Sequence, residues 1–121
     1  MQLRFSVPNA TENIRAGRKT STLRRYRKNK WLVHEMYMGW EEQLELVWTG
    51  DGGPYMIAVV PRKKWASEIV RLKHFGEDDL SRIAREEGFS DVTGMFSYLR
   101  KLYGFRFKSK RMIHTTWEAP A

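Results

Sequence analysis

The clearest pattern in the chain is the alternation Gln43-Leu44-Glu45-Leu46-Val47-Trp48, which sets Leu44 and Leu46 on one face. A period of two marks a half-buried strand. Thr49-Gly50-Asp51-Gly52-Gly53-Pro54 then reads as a turn. Tyr55–Val60 is rich in β-formers and is stopped by Pro61, and a further strand is expected from Trp65 to Lys73. Residues 2–6, Trp31–Tyr37 and Arg111–Trp117 also have strand character. Two stretches follow the helical period instead. Glu77-Asp78-Asp79 forms an acidic first turn, Leu80, Ile83 and Ala84 recur at helical spacing, and Gly88 closes the helix. Ser90 or Asp91 caps the next one, whose apolar stripe is Val92, Met95, Phe96, Leu99 and Leu102, with Gly104 as the stop. A short helix before these should start at a capping box of Asn9 with Glu12 and end at Gly17. Arg18–Lys30 is polar and irregular, and reads as a long loop with an extended start.

The order is strand, helix, three or four strands, two helices, strand. It predicts one α+β domain over residues 1–121: a small, strongly curved sheet or barrel with helices packed at its side. Composition agrees. The 41% hydrophobic and 13% aromatic content of 121 residues supplies one core and excludes disorder along the whole length. Without cysteine there is no disulfide, thiolate metal site or thiol nucleophile. No apolar run approaches the ~18 residues of a membrane span. Met1-Gln2-Leu3-Arg4-Phe5 lacks the apolar centre of a secretory signal, so a cytoplasmic location is expected.

Charge changes the picture more. The net charge is +8 and the pI about 10, a balance that suits a polyanionic partner. Its placement is uneven. From Asn13 to His34 there is no acid, while Arg15, Arg18, Lys19, Arg24, Arg25, Arg27, Lys28 and Lys30 fall there. Smaller basic clusters are Arg62-Lys63-Lys64 and the run from Arg100 to Arg111. Aromatics flank all three: Tyr26 and Trp31, Trp65, then Tyr98, Tyr103, Phe105 and Phe107. Cations hold phosphates and aromatic faces stack on bases, which is the chemistry of a single-stranded RNA site. Arg18, Lys19, Thr20, Arg24, Arg25, Arg27, Lys28, Lys30, Arg62, Lys63 and Lys64 are the candidate contacts. The plainer alternative is a solvated basic loop beside ordinary core aromatics.

Glu87 is out of place. It shares the stripe of Leu80, Ile83 and Ala84, and a carboxylate there is costly unless paired or hydrogen-bonded. It either escapes to solvent beside Gly88 or leans inward to meet the acid-free basic segment. In the second case a Lys–Glu or Thr–Glu contact would be a candidate acid/base site. His34, His74 and His114 show no metal-ligand spacing, and no phosphate-binding glycine loop is present, so neither metal nor cofactor is expected.

Two segments resemble a known family. Ile14-Arg15-Ala16-Gly17-Arg18-Lys19-Thr20-Ser21-Thr22 is similar to the opening motif of ASCH domains, and Ile83-Ala84-Arg85-Glu86-Glu87-Gly88-Phe89-Ser90, with the helix to Gly104, resembles their Glu-Gly-Phe segment. The resemblance implies a PUA-like β-barrel of about five or six strands, RNA as partner, and a cleft between barrel and helices. In members that hydrolyse acetylated cytidine, it implies a lysine, a threonine and a glutamate as the working groups. These fall on Lys19, Thr22 and Glu87. Two departures lie at Gly39-Trp40-Glu41, where the family often shows a Gly-Asp turn, and in the strongly basic Leu23–Lys30. In a regular strand Lys19 and Thr22 would face opposite sides, so both line one cleft only if the chain turns near Thr20-Ser21. The expectations are therefore an RNA-binding domain, a hydrolase of a modified nucleoside or of RNA, or a module that binds an acidic protein surface.

Overall fold

The computed structural model of the chain describes residues 1–27 and 43–120. The strand expected at 31–37, and Lys28, Lys30 and His34 with it, lies outside the described residues. Among those described, the strands are β1 (Gln2–Phe5), β2 (Ser21–Arg25), β3 (Leu44–Trp48), β4 (Tyr55–Val60), β5 (Trp65–Val70) and β6 (Met112–Trp117). The helices are α1 (Ala10–Arg15), α2 (Glu77–Glu86) and α3 (Val92–Tyr103). Short 3-10 turns lie at Arg62–Lys64, Leu72–His74 and Phe107–Ser109.

Among the described residues the strands form two open three-stranded sheets and no closed barrel, which corrects the expected PUA-like architecture. One sheet has the order β1-β3-β4, with β1 parallel to β3 and β3 antiparallel to β4. The other has the order β2-β6-β5, antiparallel throughout. Closure would need a ladder between edge strands of the two sheets. Between β1 and β2 there is instead one side-chain bond: Arg24 lies over the Phe5 ring and donates to the Arg4 carbonyl. The Arg24 guanidinium thus occupies the seam between the two edges.

The second sheet has two working faces, because side chains alternate along its strands. Trp65 and Trp117, partners in register, point towards the first sheet. There they join Leu3, Phe5, Ile14, Leu44, Leu46 and Val60 in one core. Leu23, Val70 and Met112 point the other way and meet Ile83, Ala84, Met95, Leu99 and Phe107 under α2 and α3. Leu44 and Leu46 are both fully buried, as the alternation requires, and each contributes roughly 1.5–3 kcal/mol. A bulge after Leu46 shifts the register, and Val47 is buried as well.

Three local expectations need correction. Asn9 and Glu12 form no capping box, since Asn9 takes a left-handed backbone (φ 67°) and its side chain makes no cap bond. That conformation is one asparagine tolerates. The stretch from Arg18, expected as a loop with an extended start, contains the full strand β2, whose polar Ser21, Thr22 and Arg24 obscured it. The strand expected to run to Lys73 stops at Val70 and tightens into a 3-10 turn at Leu72. No helix among the described residues is long and apolar enough to cross a membrane.

Candidate nucleotide-sized cleft

Two helix endings build the site. At the end of α1, Gly17 (φ 76°) takes the left-handed conformation, and Arg18 N–H returns to the Asn13 carbonyl. At the end of α2, Gly88 (φ 92°) does the same, with Phe89 N–H donating to Ala84 O and Gly88 N–H to Arg85 O. Both patterns are the Schellman stop, which consumes helix carbonyls and reverses the chain. The first delivers Lys19 to the start of β2, and the second leaves Glu87 as the C-cap that closes α2. Thr20 N–H donates to Glu86 O at 2.7 Å and so ties the two ends together.

Lys19 therefore meets Glu87. Its Nζ donates to Glu87 Oε2 and to the Glu87 carbonyl, each at 3.0 Å. The pair is nearly out of water, with side-chain exposures of 14% and 6%. The ammonium also sits at the negative end of the α2 dipole, which favours a cation. Lys19 precedes the strand proper, so the alternation of β2 does not constrain it, and Lys19 and Thr22 line the same cleft. Glu87 Oε1 is buried and has no hydrogen-bond partner. An unmet buried acceptor costs about 1–3 kcal/mol, which a ligand donor would offset.

The cleft lies in the open seam between β1 and β2 and has a volume of about 360 Å³. Arg4 and Phe5 come from β1, Thr22 and Arg24 from β2, Lys19 and Glu87 from the two helix endings, and Tyr98, Leu102 and Tyr103 from α3. Three cations thus face one carboxylate. Arg24 has no carboxylate partner among the described residues; it donates to Thr22 Oγ1 at 3.2 Å and to Arg4 O at 2.6 Å. Burial lowers its pKa, opposed by Tyr103, Glu87 and Tyr98, yet a guanidinium remains charged in a protein. Burial raises the Tyr98 phenol, with Tyr103 and Glu87 adding to the shift and Arg24 opposing it.

His114 lies behind this wall, opposite Leu23 in the register. It is buried, its Nε2 has no partner, and burial lowers its pKa against the pull of Glu87, Glu86 and Glu68. Among the described residues no group of three His, Asp or Glu is placed to hold a metal.

The other candidate residues spread out. Arg18 donates to Asn13, Thr20 is spent on backbone bonds, and Arg25 and Arg27 are exposed beyond the cleft. Arg62, Lys63 and Lys64 form the turn before β5 and do not line the cleft. Sequence reasoning missed Arg4 and Phe5. The alternation of Leu3 and Phe5 marks a buried face, but nothing in it says that Phe5 would end at an open seam. A larger and more open depression of about 530 Å³ lies between Pro8, Glu12, Trp48, Asp51 and Tyr55. It carries two carboxylates and no cation, which suits a polyanion poorly.

Comparison with protein-family models, curated proteins and solved structures finds no match for the chain.

Proposed function

We propose that the domain binds single-stranded RNA and holds one nucleotide of it in the cleft between β1 and β2. The observation that carries this reading is the excess of cation over carboxylate in a concave, aromatic-lined site of nucleotide size. Arg24 and Arg4 would take phosphate, Tyr98 or Tyr103 would pack against the base or sugar, and Glu87 Oε1 would accept from the base edge. The two segments that resemble ASCH domains contribute Lys19, Thr22 and Glu87 to this cleft, which supports the same reading. A cytoplasmic location suits an RNA partner.

The test is binding of a short single-stranded RNA across a salt series. Each phosphate neutralised should add about −0.7 to the log–log slope, so Arg4 and Arg24, the two cations of the cleft not paired with a carboxylate, give a slope of about −1.4. Affinity indifferent to salt would remove the proposal. An acidic peptide that displaces RNA at equal charge would favour a protein partner instead.

Hydrolysis of a modified nucleoside, or of RNA, is the second reading, favoured by the shared cleft of Lys19, Thr22 and Glu87. An attacking hydroxyl needs a base within reach. The hydrogen bond that Thr22 makes here is with Arg24, while Lys19 and Glu87 are engaged with each other. Binding is therefore the better supported. Acetylated cytidine and single-stranded RNA should be recovered intact after incubation with the protein. Product formation abolished by Lys19→Ala, Thr22→Ala and Glu87→Gln alike would establish the enzyme.

A further inference from the structure

Phe105 is the most exposed large hydrophobic residue among those described, at 76%, and Leu102 one turn earlier is 52% exposed. Both sit where α3 ends and Gly104 (φ 87°) turns the chain away. The surroundings are one-signed. Between Asp91 and Glu118 there is no acid, while Arg100, Lys101, Arg106, Lys108, Lys110 and Arg111 all fall there. Arg100 and Lys101 in the last turn also complement the helix dipole, but the later four lie beyond it.

These cations are interleaved with rings. The Arg106 guanidinium is 5.4 Å from the Phe105 centroid, the Lys108 amine 4.4 Å from that of Phe96, and Arg111 4.8 Å from that of Tyr26. The Lys110 amine donates to the Tyr103 carbonyl at 2.7 Å. The strip is continuous with the cleft, because Leu102 and Tyr103 line it. It also meets the first acid-free segment, since Tyr26 N–H donates to Arg111 O where β2 ends and β6 begins. The two basic stretches of the sequence thus converge at one end of the second sheet.

We infer that a single RNA strand leaving the cleft runs over the end of α3, where Phe105 stacks on a base and the flanking cations hold its phosphates. This rests on the reading of the cleft above and extends it from one nucleotide to a strand. A single exposed aromatic is ordinary on a protein surface. One placed inside an acid-free run of cations, at the mouth of a cationic cleft, has the charge complementarity of a stacking platform for a polyanion.

The experiment compares cytidine monophosphate with a single-stranded pyrimidine oligonucleotide of about eight nucleotides, using wild type, Phe105→Ala, Phe105→Trp and Arg24→Gln. Phe105 is on the surface, so its variants should melt as wild type does. Phe105→Ala should weaken the oligonucleotide about tenfold, leave the mononucleotide unchanged, and be rescued by Phe105→Trp. Oligonucleotide binding unchanged in Phe105→Ala overturns the inference. So does a loss confined to binding of phosphatidylserine vesicles, which would assign the platform to a membrane surface. Arg24→Gln reports on the cleft separately and should weaken both ligands. Wild-type binding of both ligands by that variant would overturn the cleft reading whatever Phe105 does.

Discussion

The turn at Arg62–Lys64 and the stretch from Lys19 to Arg24 are both basic segments next to aromatic rings, and they do different things. Arg62 lies 4.5 Å from the centroid of Trp65 and donates to its carbonyl, but Trp65 is buried in the core. Lys64 comes within 4.0 Å of Glu118, with both side chains more than half exposed. That cluster covers the start of a strand. Lys19 and Arg24 sit instead at a seam the sheets leave open, with a buried carboxylate and a free acceptor between them. Cation density alone does not make a site. Concavity and an unmet polar atom do.

The largest expected effect concerns stability. Lys19→Met should cost about 3–5 kcal/mol by urea denaturation, since it strands the Glu87 carboxylate in a dry place. Glu87→Gln should cost roughly 1 kcal/mol, because an amide keeps an acceptor for the ammonium. Lys64→Met should stay within about 0.5 kcal/mol, as exposed pairs do. Equal costs at Lys19 and Lys64 would erase the difference between the two clusters.

Binding should separate them next. Arg24→Glu is expected to weaken RNA about tenfold or more, as loss of a partly buried charge does. The double change Lys63→Glu with Lys64→Glu should alter affinity by roughly threefold or less at physiological salt, where distant exposed charges are screened. Anisotropy titrations at one fixed salt concentration would show the contrast.

What the sequence announced, and what it hid, follows the same division. The glycine stops at Gly17, Gly88 and Gly104 were legible because only a left-handed residue ends a helix that way. The strands of Leu44–Trp48 and Tyr55–Val60 were legible because one face is buried. The misplaced Glu87 left two outcomes open, escape to solvent or an inward pair, and the pair with Lys19 is the one found. β2 was legible only as the extended start of a loop: Thr22 and Arg24 face a cleft rather than a core, so the apolar half of its alternation is reduced to Leu23. The open seam was not legible either: Arg24 lies there over the ring of Phe5, nineteen positions earlier, and no local pattern encodes that meeting.

A smaller effect should appear with pH. Burial holds the His114 pKa below its ordinary 6.5, so the unfolded chain binds the proton more readily than the folded one. That contribution to stability is present above 6.5 and is lost as the pH falls below it. Denaturation midpoints measured from neutral to mildly acidic pH should decline, and His114→Gln should flatten the decline. An unchanged slope in that variant would place the dependence on the carboxylates instead.

The smallest effect is expected on the outer face of α2. Arg82 lies 3.4 Å from Asp79 and 3.3 Å from Glu86 at helical spacings, half exposed. The hydrogen bond to Asp79 leads the upward shift of its pKa, yet Arg82→Ala should cost only about 0.3–1 kcal/mol. Together with Lys19→Met this contrasts the exposed pairs along α2 with the buried one at its end, which differ chiefly in their access to water.

The most direct test is an NMR titration of the labelled domain with a short single-stranded RNA. Amide shifts should move most at Arg4–Phe5, Lys19–Arg24, Glu87–Phe89 and Tyr98–Tyr103, the four segments that meet at the seam. Changes centred on Arg62–Lys64, or none at saturating RNA, would contradict the account.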